Sequence, residues 1–340
     1  MVTIRDVAAR AGVSLATASR ALNGSGPVSP EAQQRVVRAA KELEYQVNHA
    51  ASSLRTRHSN MVGLLISDVR NPFFSELAYH IERNVVKNGR SLLTMNADES
   101  TVGQERALKA FTRARIDGLL IVAQHGEVNA AEIRCPAIFV DRAVEGSTTA
   151  VIQSDNYLAA EQLVQHLYQL GHRRIGVISG PVATSAGRQR LDGVLSSLKK
   201  LAIPAPSEWI RYGDFKLESG LSAARSLFEL ADRPTAIIAC DNLMALGALH
   251  AAQALGIRIG DDIGLVAIDD TPWFPVIDPP LTVAAQDIAT IAATAVSALE
   301  EAMQGHQPHS ANIPTTLCIR KSGTVREEFL APNIKERISE

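Results

Sequence analysis

Apolar residues recur every three or four positions at the start of the chain, and the period changes further on. Ile4, Val7, Ala8 and Ala11 share one face of a short helix. Thr3 stands at its N-cap, with Asp6 three residues on as a variant capping box. Gly12 permits a tight turn and Ser14 caps a second helix. On that helix Ala18, Ala21 and Leu22 pack inward, while Leu15, Ala16, Ser19 and Arg20 face outward. A third helix over 30–43 starts from Ser29 as N-cap and Pro30 at the first position, with Val36, Val37, Ala40 and Leu43 as its apolar face. Two short helices across a glycine turn form a helix-turn-helix, whose second helix enters the DNA major groove.

A polar, basic connector covers 45–60, and beyond it strands and helices alternate. Short apolar runs predict strands at 61–67, 92–96, 118–123, 137–140, 175–179, 209–212, 236–239, 264–268 and 314–320. Helical periodicity predicts helices near 74–88, from 102, and at 156–170, 186–200, 217–230, 243–255 and 284–304. Two successive series of this kind imply an α/β body of two doubly wound parallel-sheet subdomains behind an all-α head.

Charge sharpens that division. The whole chain carries a formal net charge of −2, but residues 1–58 hold eight Lys and Arg against four acids, +4, leaving 26 against 32, −6, for the rest. A basic head on an acidic body localises phosphate binding to one end. The three cysteines, Cys135, Cys240 and Cys318, are far apart and read as buried free thiols of a reducing cytosol. With no signal-peptide pattern at the start and no long apolar run, the expected location is cytoplasmic, away from membranes. No phosphate loop, dinucleotide fingerprint, nucleophile elbow or zinc-binding histidine pair occurs, so no catalytic residue, metal or cofactor is expected.

The stretch Thr3-Ile4-x-Asp6-Val7-Ala8-x-x-Ala11-Gly12-Val13-Ser14-x-x-Thr17-x-Ser19-Arg20-x-Leu22-Asn23 resembles the DNA-binding signature of the LacI/GalR transcriptional regulators. Residues 48–56 resemble the hinge helix of that family, with Leu54 at the position of the leucine that wedges into the minor groove. The chain departs from the usual hinge by Val47 in place of Pro and Ser52 in place of Arg. The body is similar to the periplasmic-binding-protein fold. The resemblance implies a helix-turn-helix domain at 1–46, a hinge and linker at 47–60, and an effector-binding and dimerisation domain at 61–330. It further divides the last into an N-subdomain of about 61–160 and 286–317 and a C-subdomain of about 161–285 and 318–330. It implies DNA contacts by Thr3, Ser14, Leu15, Ala16, Thr17, Ser19, Arg20, Asn23, Ala51, Leu54 and Arg55. Arg20 suits a bidentate contact to guanine, and Leu15 and Ala16 suit thymine methyls.

Several polar and aromatic residues fall just after predicted strands, where an open α/β sheet binds ligands. Their carboxylates, amides and guanidiniums suit adjacent hydroxyls, and their rings suit the C–H face of a sugar. Asn71, Phe73, Phe74, Asp141, Arg142, Arg188, Phe215, Asp269 and Gln286 match effector contacts of ribose-binding proteins and ribose-type repressors of the family, and Asp241 joins them. Asp241-Asn242 inverts the usual Asn-Asp order, and Val122 replaces an Asn of the ribose-binding proteins. The expected partners are therefore a palindromic operator in double-stranded DNA, a small sugar (ribose, another pentose or a nucleoside) and a second copy of the chain. Only 17 residues follow Gly323, Pro332 among them and without heptads, which favours a dimer. The alternative is a sugar solute-binding protein, which the basic head opposes.

Overall fold

Six of the eight buried residues at the centre of the head are alanines, and such small side chains let three short helices approach closely. The computed structural model describes residues 2–23, 26–45, 59–124, 128, 133–144 and 146–330. The expected hinge helix, with Ala51, Leu54 and Arg55, lies outside them, as does the side chain of Asn23. Residues 1–59 and 60–340 form two separate compact units.

The first unit contains α1 (Ile4–Ala11), α2 (Leu15–Asn23) and α3 (Pro30–Glu42). Asp6 accepts from the backbone amide and the hydroxyl of Thr3 at 2.8 and 2.7 Å. Gly12 ends α1 at φ 62°, where a Cβ would be strained. Ser14 Oγ accepts from the Thr17 amide at 3.1 Å and so opens α2. Ser29 does the same for α3 through the Ala32 amide. The buried face of α3 is Ala32, Val36, Ala39 and Ala40; Val37, expected there, is 53% exposed.

The second unit has two six-stranded sheets. The first orders β2 (Ser91–Asn96), β1 (Met61–Ile66), β3 (Gly118–Ile121), β4 (Ala137–Val140), β5 (Val151–Ser154) and β11 (Ala311–Ile313). The second orders β7 (Ile210–Tyr212), β6 (Ile175–Ser179), β8 (Ala236–Ala239), β9 (Gly264–Ile268), β10 (Thr282–Ala285) and β12 (Thr316–Cys318). Both repeat one winding, and every pairing is parallel except that of β10 with β12. The helices are α4 (Pro72–Lys87), α5 (Thr101–Ala114), α6 (Asn156–Gln169), α7 (Ser185–Lys200), α8 (Leu217–Phe228), α9 (Asn242–Ala254) and α10 (Ile288–Met303). The central strands β1, β3, β6, β8 and β9 are buried almost throughout, as parallel strands covered on both faces must be, while the edge strands β2, β7, β11 and β12 are partly exposed.

The chain crosses between lobes after β5, after β10 and between β11 and β12. The strand expected at 314–320 is the three-residue β12 of the second sheet; the three-residue β11, which was not expected, precedes it in the first sheet across Pro314 and Thr315. The last crossing therefore falls at 314–315 rather than 317–318, and the first at Asp155 rather than 160. The helix expected from 284 starts at Ile288, because 282–285 is β10, paired with β9. Of the cysteines only Cys240 is fully buried; Cys135 and Cys318 are partly exposed.

Candidate DNA-reading helix and interlobe cleft

The outward face of α2 carries Leu15, 44% exposed, with Ala16 and Arg20, which stand four apart and so share a face. Ser14 and Thr3 are exposed and Thr17 is partly covered. Ser19 differs from its expected outward position: it is only 7% exposed. With α1 and α3 both packed on this nine-residue helix, the covered stripe widens beyond Ala18, Ala21 and Leu22 to take in Ser19.

In the body, the carboxyl ends of both sheets face each other across one cleft. Its lining comprises Asn71, Phe73 and Phe74 from α4, Asp141 and Arg142 after β4, Ala186 and Arg190 from α7, Phe215 after β7, Asp241 after β8 and Asp269 after β9. Nearly all the strand-end candidates are thus brought together. Arg188 is not; Arg190 lines the cleft in its place. Two positions on a helix are about 200° apart, so Arg188 and Arg190 point to different sides, while Ala186 and Arg190 share the cleft face. Gln286 joins from behind, its Nε2 donating to Asp269 Oδ1.

Both guanidiniums in the cleft are held by named partners, and Asp141 Oδ2 stands 3.5 Å from Arg142 Nε. Arg142 lies with its guanidinium 4.6 Å from the centre of the Phe215 ring and 5.4 Å from that of Phe74. Glu99, unmarked by any sequence signal, grips it through two hydrogen bonds of 2.7 and 3.0 Å. Arg190 donates to Asn156 Oδ1 and to the Cys240 carbonyl, both at 2.8 Å, and stands 3.6 Å from Asp269 Oδ2. Burial pushes the Asp241 carboxyl up to about 7, with Asp269 adding to the rise. It also raises Asp141 against the pull of Arg142 and Arg190. Burial works against the charge on Arg142, yet Glu99 holds its guanidinium above the ordinary value.

The backbone is bent to present these groups. Asp141, Phe215 and Asp269 adopt left-handed φ values of 62°, 62° and 75° just past their strands. Such strain in non-glycine residues collects at ligand sites and costs about 1–3 kcal/mol each. Gly180 leaves room for Phe215: a Cβ there would lie 2.1 Å from the ring. The lobes are also bonded together. Asn71 Nδ2 donates to Asp241 Oδ2 at 3.2 Å, and Asn242 Nδ2 donates to Asn71 Oδ1 at 3.0 Å. Ser185 Oγ accepts from the Ala143 amide at 3.0 Å. The space left is about 10 Å³, room for one water at most.

Two family profiles match the chain. "Bacterial regulatory proteins, lacI family" covers residues 3–48, and "Periplasmic binding protein-like domain" covers residues 164–323. The HTH-type transcriptional repressor PurR of Photobacterium profundum is 30% identical over 329 residues, 95% of this chain and 98% of the relative. The chain belongs to the lacI family. This lacI-family protein is a DNA-binding transcriptional repressor, so the alternative of a sugar solute-binding protein falls away. Its architecture agrees with that of the lac repressor dimer bound to operator and the anti-inducer ONPF, at a TM-score of 0.86 and 30% identity over 95% of this chain and 99% of that one. A putative ribose operon repressor from Burkholderia thailandensis matches at a TM-score of 0.71 and 31% identity, over 76% of this chain and 98% of that one. Among the described residues no helix is long and apolar enough to cross a membrane, and no cluster of side chains is arranged to hold a metal ion.

Proposed function

We propose that this lacI-family repressor acts as a homodimer on a palindromic operator and is controlled by a small sugar, ribose or a related pentose or nucleoside, held in the interlobe cleft. The observation that carries the effector reading is a set of buried polar atoms without hydrogen-bond partners at the strand ends: Asp141 Oδ1, Arg142 Nε and Gln286 Oε1. Burying a polar group without a partner is costly, and a polyhydroxyl ligand supplies both donors and acceptors. Phe73, Phe74 and Phe215 offer rings to its apolar face. Similarity to the putative ribose operon repressor supports the same reading.

On DNA, each subunit places α2 in one major-groove half-site, with Arg20 on guanine and Leu15 and Ala16 on thymine methyls. Ser14, Thr17 and Thr3 serve the backbone, with Arg55 on phosphate and Leu54 at the minor groove. A ligand site ordinarily spans about 300–1,000 Å³, so a sugar enters this cleft only when the lobes part and the Asn71–Asp241 contact breaks. Effector binding thereby selects a different lobe spacing, and the two sites are coupled through that difference. The test is a thermal-shift screen of the protein against pentoses, hexoses and nucleosides, followed by a gel shift on its operator with each hit. A pentose or nucleoside is expected to raise the melting temperature and to alter operator affinity. A hit that stabilises the protein without changing DNA binding refutes the coupling.

A further inference from the structure

The loop between β2 and α5 turns sharply before Ser100 caps the helix. Asp98 and Glu99 sit consecutively in the left-handed region, at φ 57° and 50°, a conformation that L-residues avoid. The Glu99 amide donates to the Ser67 carbonyl at 2.9 Å and fixes that turn at the end of β1. What the turn achieves is placement of the Glu99 carboxylate square on the Arg142 guanidinium. Nη1 meets Oε2 at 2.7 Å and Nη2 meets Oε1 at 3.0 Å, with the side chains of Arg142 and Glu99 only 4% and 11% exposed.

This pair changes what the cleft can recognise. A free guanidinium between two aromatic rings would be a receptor for phosphate or carboxylate. Here both terminal nitrogens are taken, and only Nε lacks a hydrogen-bond partner. Arg190 is engaged by Asn156, the Cys240 carbonyl and Asp269. At the cleft the acceptors Asp141 Oδ1 and Gln286 Oε1 lack a hydrogen-bond partner, as does Asn242 Oδ1 beside it. Four carboxylates (Glu99, Asp141, Asp241, Asp269) stand against two guanidiniums. Burial raises both Asp141 and Asp241, and the neighbouring Asp269 carboxylate adds to the rise at each.

We infer that Glu99 is a built-in counter-ion that closes Arg142 to anions, so that the cleft takes uncharged, donor-rich polyols and rejects their phosphorylated forms. The inference rests on the sugar reading of the cleft and narrows it to one chemical class.

Calorimetry on the full chain tests it with matched pairs: D-ribose with D-ribose 5-phosphate, adenosine with AMP, and inorganic phosphate alone. In the wild type a neutral compound is expected to bind at least about 100-fold more tightly than its phosphate ester, since like charges juxtaposed in a buried site are strongly repelled. In Glu99→Gln the ester is expected to gain about 10-fold or more, as Arg142 regains its fork for phosphate. An ester that binds the wild type as tightly as its neutral partner overturns the inference and leaves the sugar reading standing. If no neutral compound binds, the sugar reading fails and inorganic phosphate decides the role of Glu99. Phosphate binding to Glu99→Gln alone upholds it; binding to the wild type, or to neither protein, overturns it. The wild-type comparison stands even if the variant does not fold.

Discussion

Arg20 and Arg142 are the same side chain in opposite settings. Arg20 is exposed near the end of α2, whereas Arg142 is buried between two rings and a carboxylate. The first is open to a partner molecule; the second is committed inside its own. Arg20→Ala is therefore expected to cost about 1–3 kcal/mol per operator half-site, read by gel shift, with sugar affinity measured by calorimetry unchanged. Loss of both would show that the substitution unfolds the protein rather than removing a base contact. At this scale the sequence was informative wherever a polar or aromatic residue closely followed a strand: Asn71, Asp141, Arg142, Phe215, Asp241 and Asp269 all line the cleft. It was ambiguous at Arg188-Gln189-Arg190, where helix phase, set by the Thr184 cap of α7, decides which arginine turns inward. It was silent about Glu99, whose partner is 43 residues away.

Elements were legible in proportion to their length and their caps. Most helices of the body begin at side chains that accept from their own first-turn amides, as at Ser100, Asp155 and Thr184, and Ser29 does so in the head; α8, which starts after Lys216, does not. The strands missed were β5 and β11, whose short apolar runs are broken by polar Gln153, Ser154 and Asn312, and β10, whose end at Ala284 and Ala285 blends into the helical periodicity expected from 284. Two caps do double duty: Asn71 caps α4 and Asp241 caps α9, and these two side chains bond to each other across the cleft. A different tie holds the end of the second sheet. His172, fully buried in the α6–β6 turn, bonds Thr235 Oγ1 through Nδ1 and the Gly323 carbonyl through Nε2, both at 2.9 Å. A neutral imidazole serves both, donating from Nε2 and accepting at Nδ1. Burial pushes its pKa down to about 4 from 6.5. Since the folded value is depressed, the unfolded chain binds the extra proton first, and stability present above pH 6.5 is lost as pH falls towards 4. The loss is about 3 kcal/mol at most. His172→Gln is expected to flatten that part of the acid-denaturation curve. An unchanged slope would assign the loss to other groups.

At the scale of the whole body, the cleft ties pH to the spacing of the lobes. Asp241 is held at about 7 because the closed lobes bury it beside Asp269. Parting the lobes returns it to water, where a carboxyl ionises near 3.8. The closed form thus binds a proton that the open or unfolded form releases. Its advantage is full below about pH 4 and is lost as pH rises through about 7. This runs opposite to the His172 effect over much of the same range, so the wild-type melting curve alone mixes the two. Asp241→Asn separates them, because the amide keeps an acceptor for the Met244 amide, now bonded at 2.9 Å, but has no proton to lose. The variant is expected to gain stability relative to the wild type as pH rises from 4 to 8, by up to about 4 kcal/mol for a group this buried. Paired thermal melts across that range measure the difference. A difference that stays flat with pH would mean that Asp241 does not carry the coupling, and lobe closure would then be driven by the Arg142 contacts with Phe74 and Phe215 rather than by this proton.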